Sequence, residues 1–127
     1  MRAPSPSRKN KRLAGYRKGL FAEQVAAWHL RLRGWRIVAQ RFKTPLGEID
    51  LIAKRGSQLA FIEVKARASK DTAAEAIHLQ NQQRVVRAAQ WFLSSHPKYA
   101  DCTLRFDACL VPWYSWPHFI THAFSEN

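Results

Sequence analysis

Gly47-Glu48-Ile49-Asp50-Leu51-Ile52-Ala53 and Leu59-Ala60-Phe61-Ile62-Glu63-Val64-Lys65 flank the turn-forming Arg55-Gly56-Ser57. Two apolar, β-branched runs around a glycine turn predict a β-hairpin. Both runs are apolar on both faces at one end, as in a sheet covered by helices on each side. Three acids and a lysine nevertheless sit inside them. An unpaired buried charge costs several kcal/mol, so such residues persist where they pair with one another or with a ligand.

Working outward, Trp35 to Phe42 alternates loosely and reads as a strand, joined to the hairpin by a turn at Pro45 and Gly47. Upstream, Phe21, Val25, Trp28 and Leu32 recur at helical spacing with Ala22, Ala26 and Leu30 beside them, and Gly34 supplies a stop. This predicts a helix over 16–33 packed through that stripe. Downstream, Asp71 or Thr72 suits the N-cap of a helix running to about Leu93, with Ile77, Val85, Val86, Ala89, Phe92 and Leu93 as its apolar stripe. Leu104 to Val111 reads as a further strand and Phe119 to Ala123 as an edge strand. The order α-β-β-β-α-β predicts an α/β fold with a mixed central sheet flanked by helices. Residues 1–14, with Pro4, Pro6 and a run of cations, read as a flexible basic N-terminal arm, and 15–127 as one domain.

The chain has 127 residues, enough for one core. Its apolar share of 46% excludes global disorder, and no apolar run is long enough to span a membrane. A basic N-terminus without an apolar segment argues for a cytoplasmic protein rather than a secreted one. Cys102 and Cys109 make neither a disulfide framework nor a metal cage and read as reduced thiols. Lys plus Arg is 21 against 9 acids, a net charge of +12, so polyanions are the natural partners. Arg2, Arg8, Lys9, Lys11, Arg12, Arg17 and Lys18 all precede the first acid, Glu23. No helix pairs a Lys-rich face with a strongly apolar one, so no membrane role is expected.

Hairpin register decides what the acids can do. A loop at Arg55-Gly56 pairs Asp50 with Phe61 and Glu48 with Glu63; a longer loop over Arg55–Gln58 pairs Asp50 with Glu63. Either leaves Asp50 and Glu63 on one face, about 5–8 Å apart at Cβ. An odd loop without a bulge would separate them. Glu63 and Lys65, two apart in a strand, share a face while Val64 takes the other. Two carboxylates and an ammonium on one face suit Mg²⁺ or Mn²⁺, hard cations that bind through one or two carboxylates plus waters and substrate phosphate. The same residues could instead form a plain ion network at a sheet edge.

Gly47-Glu48-Ile49-Asp50-Leu51-Ile52 followed by Phe61-Ile62-Glu63-Val64-Lys65-Ala66-Arg67 resembles the signature of the YraN-like family of endonuclease-like proteins. Gly19, Ala22, Glu23 and Ala26 in the first helix, Gln82 in the second, and Arg105-Phe106-Asp107 support the resemblance, which covers about 15–124. That family is similar to archaeal Holliday-junction resolvases and the restriction-endonuclease-like, PD-(D/E)xK, superfamily. The resemblance implies a restriction-endonuclease-like core and a metal-dependent endonuclease acting on DNA, branched or otherwise structured. It implies that Asp50, Glu63 and the Val64 carbonyl hold Mg²⁺ or Mn²⁺, that Lys65 is catalytic, and that Glu23 is an accessory acid. Asn81, where the family often carries a lysine, departs from the pattern. From its neighbours alone, Glu23 could equally face the sheet or solvent at the helix N-terminus.

Arg67 and Lys70, just beyond the lysine-bearing strand, are candidates for nucleic-acid contacts, as are Gln82, Arg17 and Lys18. Glu48 could orient Lys65 or simply follow the turn. The five histidines show no zinc spacing. Trp28 and Trp91 read as core, whereas Trp113 and Trp116 lie in a turn where exposed rings could stack on unpaired bases. No nucleophile triad, phosphate-binding glycine loop or dinucleotide motif is present. The rival readings are a non-catalytic nucleic-acid-binding module and a basic protein adaptor. A homodimer would suit two-strand cleavage, but nothing in the sequence encodes one.

Overall fold

Period-2 alternation interrupted by two tight turns folds residues 36–66 into a three-stranded antiparallel meander: β1 (Arg36–Thr44), β2 (Gly47–Arg55) and β3 (Gln58–Ala66). The computed structural model describes residues 8–66, 79–112 and 116–121, with backbone alone for 8–18 and 79–81. Helix α1 (Arg8–Leu32) precedes the meander. Helix α2 (Leu79–Ser95), a 3-10 turn (Pro97–Tyr99), β4 (Thr103–Val111) and β5 (His118–Ile120) follow it. The strands form one sheet in the order β1-β2-β3-β4-β5. β3 and β4 are parallel and every other pair is antiparallel. The mixed sheet between two helices is the expected α/β fold, consistent with a restriction-endonuclease-like core.

Gly56, at φ 59°, turns the β2–β3 hairpin tightly, and Arg55 pairs with Gln58, Lys54 with Leu59 and Leu51 with Ile62. This is the register expected of the longer loop, reached with Gly56 and Ser57 alone in the turn. Continued one step, it sets Asp50 opposite Glu63. The ladder stops there. β1 stays paired with β2 as far as Thr44 and Gly47, and β3 with β4 as far as Ala66 and Val111, whereas β2–β3 pairing ends at Leu51 and Ile62. The sheet therefore forks, and the acids line the fork.

Helix α2 covers one face through Val85, Val86, Ala88, Ala89 and Phe92, against Ile49, Ile52, Leu59, Phe61 and Phe106. Phe92 is the hub. Its ring lies 5.2 Å from Phe42, 6.0 Å from Phe61 and 5.6 Å from Tyr99, with His96 stacked at 4.3 Å. The expected stripe residues Val85, Val86, Ala89 and Phe92 are buried and Leu93 half-buried; Asp71, Thr72 and Ile77 lie outside the described residues.

Helix α1 covers the other face, but differently from expectation. It begins at Arg8 rather than near 16 and ends at Leu32, where Gly34 (φ 88°) lets the Trp35 N–H reach the Leu30 carbonyl at 2.9 Å. Its buried side is Ala22, Glu23, Ala26, Ala27 and Leu30, packed on Leu51, Ala53, Ala60, Ile62 and Cys109. The large residues face out: Phe21 is 64% exposed, Trp28 60% and Leu32 81%. Both stripes have helical spacing. The alanines win because a helix lying this close to the sheet leaves no room for aromatic rings between them. Trp91 likewise is 44% exposed rather than core. Both cysteines are free, and burial pushes the Cys109 thiol up to about 12, which makes it inert.

Candidate active site

The fork needs a hydrogen-bond acceptor where the ladder ends, and Asp50 supplies it. The Val64 N–H donates to Asp50 Oδ2 at 2.8 Å, so the side chain replaces a missing strand partner. Beside it, Lys65 Nζ lies 3.0 Å from Glu63 Oε1. Glu63 is 8% exposed, and its other oxygen, Oε2, is buried without a hydrogen-bond partner. A buried carboxylate oxygen with nothing donating to it is costly.

Glu23 comes from the buried side of α1, 6% exposed, and faces the sheet. Arg41 of β1 bridges it to β2: Arg41 Nε is 3.5 Å from Glu23 Oε2 and 3.4 Å from Glu48 Oε1. Arg41 stands between the Gln40–Leu51 and Phe42–Ile49 pairs, across from Asp50, and takes φ 52°. An arginine in the left-handed region carries a conformational cost, and here it lies beside the acids. The sequence reading missed Arg41, because a cation in an alternating strand reads as solvent-facing. The available signal was the Pro45 turn, which sets the register placing it across from Asp50.

Four carboxylates, Glu23, Glu48, Asp50 and Glu63, thus gather around two cations, Arg41 and Lys65. Burial first, and the surplus of acids after it, show in proton affinity. Burial, and then the neighbouring Asp50, push the Glu23 carboxyl up to about 7. Burial pushes Asp50 up to about 6; the Val64 N–H pulls it back, and Glu63 raises it again. Between its unfolded value of 3.8 and about 6, native Asp50 binds its proton more tightly than the unfolded chain does. Stability contributed here is therefore present at low pH and lost as pH rises through about 6. Asp50→Asn, which keeps an acceptor for Val64, is expected to raise unfolding free energy by about 2 kcal/mol at pH 7.5 and by little near pH 3.5. Urea titrations at the two pH values check this. Lower stability of the variant at pH 7.5 would show that attraction, not burial, governs ionised Asp50.

A divalent cation suits this donor set. The unpartnered Glu63 oxygen and the neighbouring Asp50 carboxylate are hard ligands in a site with excess negative charge. Among the described residues no three His, Cys, Asp or Glu side chains form a ready-made cage. Mg²⁺ does not require one, since it binds through one or two carboxylates and keeps its waters.

The fork brings Glu23, Asp50, Glu63 and Lys65 into one neighbourhood, with Val64 engaged there through its N–H. Gln82 is half-buried near the start of α2. Two residues on, the Arg84 Cβ lies 3.4 Å from where a Cβ on Gly47 would stand, so this end of α2 abuts the turn leading into Glu48. Arg67 and Lys70 lie outside the described residues, as do Trp113 and the side chains of Arg17, Lys18 and Asn81. Asp107 is a further buried acid of the sheet. It is 4% exposed, pairs with Arg105 at 3.1 Å and stands across from Ile62 in β3.

No helix among the described residues is long and apolar enough to cross a membrane. The family model described as Uncharacterised protein family UPF0102 matches residues 22–111, which span the whole fork. A UPF0102 protein of Rhodopseudomonas palustris (strain BisA53) is 50% identical over 124 residues, covering 98% of this chain and 95% of its own. One from Bradyrhizobium diazoefficiens is 48% identical over 116 residues, covering 91% and 87%. One from Parvibaculum lavamentivorans is 50% identical over 111 residues, covering 87% and 84%. On this match over the sheet, both helices and the forked site, the chain belongs to the UPF0102 family, the YraN-like family that its motifs resemble.

Proposed function

We propose that this protein is a Mg²⁺- or Mn²⁺-dependent phosphodiesterase that cuts nucleic acid, DNA in preference to RNA, at the fork of its sheet. The observation that carries the reading is the buried, unpartnered Glu63 Oε2 beside Asp50 and Lys65. Asp50, Glu63 and the Val64 carbonyl would hold the metal. When bound, such a metal polarises a phosphodiester and lowers the pKa of water. Lys65, already held at Glu63, is placed to orient an attacking water and to stabilise charge growing on the phosphoryl oxygens. Glu23, with its carboxyl near 7, can take or give a proton at neutral pH. Arg41 holds Glu23 and Glu48 in place. The net charge of +12 draws the polyanionic substrate without reading its sequence.

The deciding experiment is calorimetric titration with Mg²⁺ and Mn²⁺ of the wild type and Asp50→Ala, followed by a cleavage panel of branched, single-stranded and duplex DNA and RNA. Binding heat lost in the variant, with metal-dependent cutting, supports the phosphodiesterase. No heat and no cutting, with salt-sensitive DNA binding intact, would leave a non-catalytic nucleic-acid-binding module.

A further inference from the structure

The outward stripe of α1 is not merely exposed; it forms one wall of a cleft. Phe21, Val25, Trp28 and His29 face Trp116 and Pro117 across a space of about 530 Å³, within the range of clefts that take one small ligand. The lining is aromatic. Trp28 is 60% and Trp116 78% exposed, and the His29 ring meets Trp116 edge-on at 5.4 Å. Cations attend the same flank. The Arg31 guanidinium lies 5.3 Å from the centre of the Trp28 ring, and Arg33 lies 5.5 Å from that of Phe119 on β5. No carboxylate among the described residues pairs with either arginine.

Charge selects among occupants. Along its 25 residues α1 carries Arg8, Lys9, Lys11, Arg12, Arg17, Lys18 and Arg31 against one acid, Glu23, which points into the fork. A second copy docked on this stripe would bring two strongly cationic helices together, which like-charge repulsion opposes. Flat apolar faces alternating with phosphates match exposed rings alternating with guanidiniums. In a duplex the base faces are sealed by stacking; only an unpaired strand offers them.

We infer that the cleft between α1 and Trp116 binds unpaired bases of single-stranded DNA, with Arg31 and Arg33 holding the adjoining phosphates. The lining is mainly apolar, with Gln24 and His29 among its polar groups, and DNA is chosen over RNA to match the substrate proposed for the fork. The ligand class rests on the phosphodiesterase reading of the fork. Gln24, which follows Glu23 in α1, also lines the cleft, so the two sites lie on adjoining faces of one helix, about 100° apart around its axis. A strand held at the cleft keeps its flanking DNA near the acids, and substrates with a single-stranded segment gain from both sites.

The test uses labelled dT15, rU15 and a 15-base-pair duplex in EDTA, with anisotropy measured on the full chain. The proteins are wild type, Trp28→Ala, Trp116→Ala and the double variant. Both tryptophans are exposed, so the variants retain the core, and urea midpoints verify it. The double variant is expected to weaken dT15 binding by about tenfold or more while duplex affinity stays within about twofold. Unchanged dT15 binding overturns the inference. So does a wild-type dimer that the double substitution converts to monomer with dT15 binding intact, which would make the cleft a contact between copies. Binding of rU15 about tenfold tighter than dT15 overturns the choice of DNA. Because EDTA removes metal, failure of this test and failure of the metal site are separable. A chain that cuts yet binds dT15 normally without both tryptophans loses only the cleft. One that binds through them and never cuts loses only the phosphodiesterase.

Discussion

Glu63→Ala and Lys65→Ala are each expected to lower metal-dependent cleavage by about a thousandfold or more while leaving DNA affinity in EDTA within about twofold. The split follows from position. Glu63 is 8% exposed and has one oxygen tied to Lys65, so neither carboxylate oxygen is a surface feature that free DNA would meet first. Removing it takes away one of the two proposed carboxylate ligands. Removing Lys65 leaves the ligands but strips the ammonium from the place where phosphoryl charge would grow. The two variants should therefore differ in one readout. Glu63→Ala loses Mg²⁺ binding heat, whereas Lys65→Ala keeps it or increases it, since a cation that repels the metal is gone. Single-turnover cleavage of the best substrate in the panel, alongside calorimetry, checks both. Cutting at the wild-type rate by either variant would remove the fork as the reactive centre.

Phe92→Ala is expected to cost about 4 kcal/mol. Phe92 is 1% exposed and its ring meets Phe42, Phe61, His96 and Tyr99. Truncation empties the junction between α2, β1, β3 and the 3-10 turn, and rigid β-strands on two sides limit collapse into the hole. A domain of this size has roughly 5–15 kcal/mol in total, so the variant should unfold at modest urea concentration. Phe92→Leu, which refills much of the volume, should recover most of the loss. A cost below about 1 kcal/mol for the alanine variant would mean that this side of the sheet is packed by other residues.

Particular residues show what the sequence carried. The meander was legible because Pro45, Gly47 and Gly56 punctuate runs of β-branched residues, and turns and period 2 are local properties. Asp50 and Glu63 could be set on one face from either plausible loop, and the Leu51–Ile62 ladder selects one register. The packed face of α1 was not legible. Phe21, Val25, Trp28 and Leu32 and the competing Ala22, Ala26 and Leu30 both recur at helical spacing, and which packs depends on how close the sheet allows the helix to come. Hydrophobicity alone favours the wrong stripe. Arg41 escaped because its role needs two strands and a helix at once: β1 to carry it, β2 to bring Glu48 and α1 to bring Glu23.

The parallel pairing of β3 with β4 has a kinetic consequence. Lys54 and Leu59 meet across five residues of chain, whereas Gln58 must find Thr103 across forty-five. Closing a long loop before its contacts reward it slows folding, so the meander is expected to assemble first and the β3–β4 pair last. Arg41, Glu48, Asp50, Glu63 and Lys65 all belong to the early, local part. They would meet while still hydrated, when gathering like charges costs least. The late docking of β4 and α2 then removes their water. The rate-limiting step is thus the one that desolvates the acids, and refolding should quicken as the pH falls from 7.5 toward 5, where Glu23 and Asp50 take up protons.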